Sequence, residues 1–151
     1  MGTTLEAKRL FDLVTCSPEE TLEFGRKLAD EVRPPSLVLL EGELGSGKTT
    51  LTKGIVAGLG AASDEEVTSP SFTLVHEYGR ETKVYHVDLY RIEGAHDLGT
   101  LGLEDLLSQH ATVIVEWGEK LGDNRMTPRV EIHLEHMGNH ERRIIVERLE
   151  G

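Results

Sequence analysis

The sequence predicts an α/β domain built on a mixed parallel and antiparallel sheet. Three observations predict it. Helix-like and strand-like segments alternate along the chain. Two aliphatic runs, Leu37-Val38-Leu39-Leu40 and Val113-Ile114-Val115, read as buried strands. Later segments alternate polar and apolar residues around Gly-containing turns, as antiparallel hairpins do.

The elements follow in order. Ser17-Pro18-Glu19-Glu20 starts a helix: Ser17 suits the cap, Pro18 the first turn, and Glu20 completes a capping box. Leu22, Leu28, Ala29 and Val32 give that helix an apolar face, and Pro34-Pro35 ends it. Residues 36–40 form a buried strand. A Gly-rich loop leads into a helix from Lys48 to about Leu59, with Leu51, Ile55, Val56 and Leu59 facing the core and Gly60 closing it. Residues 72–78 and 83–89 read as strands joined in a hairpin by Gly79-Arg80. A short helix is placed over 96–107, weakened by Gly99 and Gly102. Residues 112–116 form a buried strand. Residues 130–134 and 143–149 alternate as half-exposed strands, with Met137-Gly138-Asn139 turning between them. No element is assigned before Ser17.

A chain of 151 residues fits one domain over 1–151. With 38% hydrophobic and 28% charged residues it can build a packed core, which excludes wholesale disorder. Its aliphatic runs fall far short of the ~20 residues that span a bilayer. The start, Met1 to Lys8, lacks a basic stretch followed by an apolar one, so no secretory signal is read. One cysteine, Cys16, allows no internal disulfide and fits a reducing cytoplasm. Cys16 is given no chemical role. Sixteen basic and twenty-seven acidic residues leave a net charge of −11. A domain that held nucleic acid through its phosphates would be basic, so autonomous tight RNA or DNA binding is not expected. A basic partner protein fits better.

Gly42-Glu43-Leu44-Gly45-Ser46-Gly47-Lys48-Thr49 matches the phosphate-loop pattern G-x-x-x-x-G-K-[ST], between a buried strand and a helix. Gly42, Gly45 and Gly47, with Ser46 among them, make the loop: the glycines let the backbone curl so that N–H groups point at phosphate oxygens. The helix adds its positive N-terminal end. Lys48 reaches the β- and γ-phosphates and Thr49 offers a hydroxyl to Mg²⁺; Thr50, next in the chain, is counted among the nucleotide-binding residues. These features specify the fold class further, as a three-layer domain of the P-loop NTPase type.

Such a site needs a carboxylate at the end of a second buried strand. Glu116, which ends 112–116, is assigned to the metal. Asp88, at the end of the strand read over 83–89 and one residue before its last, is assigned to hydrolysis as the group that orients or deprotonates water. His86 precedes it on the strand and is placed in support of Asp88. Either acid has a plainer reading as a strand-end carboxylate capping a turn. Trp117 reads as core or as a stacking surface. The hydroxyl-rich segment Val67 to Thr73 reads as a sensor of a terminal phosphate and its metal, or as a solvated turn. His133, His136 and His140 are spaced so that strand neighbours point to opposite faces, so they are read as surface residues.

In these residues the chain resembles the TsaE family, also called YjeE. The matching segments are 42–50, Val67 to Val75, His86-Val87-Asp88-Leu89-Tyr90-Arg91, and Val115-Glu116-Trp117. The first is shared by many nucleotide-binding families, whereas all four in this order are specific. The stretch from Ser17 to Gly25 also looks like the family's first helix. Ser71 stands where relatives often have Thr, and either keeps a hydroxyl.

The resemblance implies an ATPase that binds ATP and Mg²⁺. It implies partnership with TsaD and TsaB, which form N6-threonylcarbamoyladenosine (t6A) at adenosine 37 of tRNAs reading ANN codons. The ATPase itself would not transfer the group, and it would meet tRNA mainly through that complex. Thr49 and Glu116 take the metal positions, Asp88 and Lys48 the catalytic ones, and Gly138 the adenine side. Three other readings compete: a small-molecule kinase, a GTPase, and a nucleotide-sensing assembly protein. The chain has no obvious Arg-rich lid for the first and no N-K-x-D segment for the second.

Overall fold

The computed structural model describes residues 6–43, 45, 47–62, 75–80, 82–89, 103–118 and 128–150. The expected sensor segment 67–73, Ser46, and most of the helix placed over 96–107 lie outside the described residues. Among the described residues, seven strands form one sheet: β1 (Glu6–Thr15), β2 (Ser36–Gly42), β3 (Val75–Tyr78), β4 (Lys83–Asp88), β5 (Ala111–Glu116), β6 (Arg129–Gly138) and β7 (Glu141–Glu150). Their spatial order is β1-β7-β6-β2-β5-β4-β3. β2 pairs in parallel with β5 and β6, and β4 with β5. The pairs β3/β4, β6/β7 and β1/β7 are antiparallel. The sheet is therefore mixed, parallel at its centre and antiparallel at both margins.

Helices α1 (Pro18–Leu28) and α2 (Lys48–Gly58) cover one face, and α3 (Leu103–Ser108) packs on the other. Alternation along the central strands divides the core accordingly. Val38, Leu40 and Ile114 meet Leu28, Leu51 and Ile55 beneath the first pair of helices. Leu37, Leu39, Val113 and Val115 meet Leu106 and Leu107 on the opposite side. No helix among the described residues is long and apolar enough to cross a membrane.

Ser17 caps α1 as its sequence predicts: its Oγ accepts from Glu20 N at 3.1 Å. Glu20 reaches back to the N–H of Cys16, at 3.4 Å, rather than to that of Ser17. Regular helix stops at Leu28, earlier than Pro34-Pro35 alone would require. The chain tightens into a 3-10 turn over Ala29–Glu31, and Val32 leaves helical geometry with φ −129°. That tightening buries both Ala29 and Val32 completely. α1 and α2 approach closely through paired glycines. A Cβ on Gly25 would lie 2.6 Å from Leu51 O, and one on Gly54 would lie 2.9 Å from Gly25 Cα.

β1 is the element to which the sequence reading gave no place. A register shift between Arg9 and Phe11 breaks its alternation, so Leu10 and Phe11 are both half-buried. Phe11 packs edge-on to Phe24 of α1, with ring centroids 5.2 Å apart. Asp12 ties β1 to β7 by accepting from Arg143 at 3.1 and 2.9 Å. That hydrogen bond, with the Arg143 charge, holds the Asp12 carboxyl below the ordinary carboxylate range.

Candidate functional site

β2 delivers the loop. Its Leu40 stands level with Glu116 of β5, and two residues on Gly42 stands level with Leu134 of β6. The chain must then turn from strand to helix before Lys48. Gly45 and Gly47 make that turn with φ of +78° and +100°, where a side chain would be strained. Gly47 is the N-cap of α2 and brings no capping side chain, so the helix start faces the loop with its backbone N–H groups.

Lys48 opens α2 and is buried, only 6% exposed. Its Nζ donates to the carbonyl of Gly42 and, at 3.1 Å, to that of Glu43. The same ammonium lies 3.9 Å from the centroid of the Trp117 ring. Thr49 comes next, and its Oγ1 is 3.5 Å from Glu116 Oε1.

Asp88 and Glu116 end adjacent parallel strands in register. Both side chains leave the face that carries α2. Glu116 is buried and Asp88 half-buried. His86, two residues before Asp88, is completely buried. Its Nε2 donates to Glu116 Oε2. The expected support of Asp88 by His86 is therefore corrected: the imidazole turns across to the neighbouring strand. His86 stands level with Ile114, so its ring reaches diagonally to Glu116, two residues further along β5. His86 Nδ1 has no hydrogen-bond partner among the described residues.

On the other side of the loop, a hollow of about 40 Å³ is lined by Pro18, Thr21, Gly47, Thr50, His140 and Arg142. It joins the start of α1, the start of α2 and the tip of the β6/β7 hairpin. In chemical terms, an open helix start with one ammonium favours anionic oxygens. A hydroxyl beside a carboxylate suits a hard divalent cation.

The family model described as "Threonylcarbamoyl adenosine biosynthesis protein TsaE" matches residues 15–144. The chain belongs to the TsaE family. It is 36% identical over 131 residues to the tRNA threonylcarbamoyladenosine biosynthesis protein TsaE of Bacillus subtilis, covering 86% of this chain and 80% of that one. It is 41% identical over 117 residues to the TsaE of Streptomyces coelicolor, covering 72% and 77% of the two chains. The crystal structure of Bacillus subtilis YdiB superposes with a TM-score of 0.74 at 29% identity, over 97% of this chain and 88% of that one.

In this TsaE-family chain the residues singled out from sequence fall into two groups. Gly42, Gly45, Gly47, Lys48, Thr49, Asp88 and Glu116 converge where β2, β4 and β5 end beneath the start of α2. Thr50 lies on the hollow side. Gly138 is not among the residues lining the hollow; its φ of +110° belongs to the hairpin turn, and His140 and Arg142 supply the lining instead. Neither was singled out for this role, since only the register of β6 against β7 brings that turn beside Gly47.

Trp117 packs against the core, the first of the two readings offered for it, and its ring also faces the Lys48 ammonium. His133 is half-exposed and not simply a surface residue, because its Nδ1 lies 3.1 Å from Glu41 Oε2. That hydrogen bond raises the His133 pKa against the opposing effect of burial. His136 and His140 are exposed.

Proposed function

We propose that this TsaE-family chain is a Mg²⁺-dependent ATPase. It supports repeated turnover of a TsaB–TsaD complex that forms t6A at adenosine 37 of tRNAs reading ANN codons, and it does not transfer the threonylcarbamoyl group itself. The observation that carries the reading is the pair Thr49 and Glu116, whose oxygens face each other at 3.5 Å one residue after Lys48. Two oxygens that close can share one cation holding its ligands at about 2.1 Å, so the donor set fits Mg²⁺. Bound there, Mg²⁺ offsets charge on the phosphate oxygens.

The chain's own groups divide the remaining work. The loop backbone and the start of α2 hold phosphate oxygens. Lys48 exchanges its bonds to Gly42 and Glu43 for bonds to phosphate. Asp88, level with Glu116, accepts the proton of the attacking water. The nucleoside end lies on the side of the loop where the start of α1 and the hairpin tip meet Gly47, a side that Thr50, His140 and Arg142 line. The net charge of −11 suits docking on a basic partner face better than contact with tRNA alone.

The test is ATP hydrolysis by the chain alone and with TsaB–TsaD, with t6A measured over several turnovers. Stimulated hydrolysis together with multiple turnovers supports the reading. Equal t6A formation without the chain rejects it.

A further inference from the structure

We propose that His86 is a positioning residue that holds the Glu116 carboxylate in the orientation that receives Mg²⁺. The inference rests on the ATPase reading above and adds a residue to it. Glu116 has two oxygens, and the structure divides them: Oε2 accepts from His86 Nε2, while Oε1 faces Thr49 Oγ1 at 3.5 Å. A glutamate carries three rotatable side-chain bonds. Left alone beside Asp88, it would swing away from that second carboxylate. The imidazole removes this freedom. It is rigid, fully buried, and itself held on β4, where it stands level with Ile114. Because a carboxylate only accepts, Nε2 must carry a proton. Nδ1 has no hydrogen-bond partner among the described residues, which leaves the bond from Nε2 as the one that the described residues give the ring.

A metal-binding carboxylate anchored by an outer hydrogen bond is preorganised, and losing such an anchor costs about 10- to 100-fold in metal affinity. The effect should fall on the metal and spare the nucleotide, since the phosphate loop lies on a different element from His86.

The experiment compares the native chain with His86→Leu and His86→Gln, the second of which keeps an N–H donor near the Nε2 position. Binding of a non-hydrolysable ATP analogue is measured by calorimetry, first in EDTA and then across a Mg²⁺ titration. The expected result for His86→Leu is native affinity in EDTA and a Mg²⁺ midpoint raised by about tenfold or more. His86→Gln should recover most of that loss. An unchanged midpoint in His86→Leu overturns the proposal. If the native chain itself shows no Mg²⁺ dependence, the metal reading fails and takes the proposal with it. Because a buried substitution can prevent folding, the native chain provides a separate check by ¹⁵N NMR of its imidazoles. A protonated Nε2 on His86 supports the proposal, and an Nε2 without a proton rejects it.

Discussion

Asp88 and Glu116 occupy the same register position on neighbouring parallel strands, so two carboxylates leave one face of the sheet side by side. They sit at the level of Leu40, just before β2 gives way to the loop. Their surroundings differ. Glu116 is buried between His86 and Thr49, whereas Asp88 is half-open. Replacing each should therefore have a distinct signature. Glu116→Ala should weaken nucleotide binding in Mg²⁺ and leave binding in EDTA little changed. Asp88→Ala should keep Mg²⁺–ATP binding while hydrolysis falls by about 10²- to 10⁴-fold, the usual worth of a general base. Calorimetry with phosphate-release assays separates the two, and identical behaviour of both variants would contradict the division of roles.

Lys48→Ala removes the one ammonium that the loop carbonyls now hold. A hydrogen bond to a charged group contributes about 1.5–3 kcal/mol. Nucleotide affinity should fall by roughly 10- to 100-fold and hydrolysis should cease. The same calorimetric titration reads the first effect.

Trp117 is the only tryptophan in the chain, and the Lys48 ammonium lies 3.9 Å from its ring centroid. Drawing Lys48 toward phosphate changes the charge over the indole. ATP should shift the intrinsic fluorescence of the native chain, and the shift should be lost in Lys48→Ala even at ATP concentrations that saturate the variant. A full-sized shift in the variant would mean that the ring reports something other than this lysine.

Gly54→Ala tests the contact between α1 and α2. The added methyl group would press on Leu22 O and lie 2.9 Å from Gly25 Cα. Overpacking of this kind costs about 1–3 kcal/mol, although alanine is the better helix former. Denaturant unfolding should show a lower midpoint with an unchanged slope.

His133 supplies a pH-dependent contribution to stability. Its pKa is raised, first by the hydrogen bond to Glu41 and opposed by burial. A group with a raised folded pKa stabilises fully below its unfolded value, here 6.5, and loses that contribution as pH rises through the folded value. The stability gap between the native chain and His133→Gln should be widest in mildly acidic buffer and shrink toward alkaline pH. Partial exposure keeps the effect small. A gap that grew with pH would contradict the pairing.

The parts legible in the sequence were those encoded locally. Leu37 to Leu40, the glycines before Lys48 and the cap at Ser17 each declare themselves within a few residues. Long-range pairings did not. β1 pairs with the far end of the chain, and the bulge at Leu10 hides its alternation. His86 stands near Asp88 in sequence yet bonds to Glu116, because the choice depends on how β4 lies against β5. Arg142 enters the hollow through the register of a hairpin, which no composition signal marks.

Glu6 is paired with Glu150, so the first and last strands meet at one margin of the sheet. This is also the end where β2 begins, about six residues or roughly 20 Å along the strands from Gly42. A surface tether or a dye attached at Glu6 or Glu150 would leave the loop before Lys48 clear. A crosslink between Glu6 and Glu150 would therefore staple this margin of the sheet without reaching the loop.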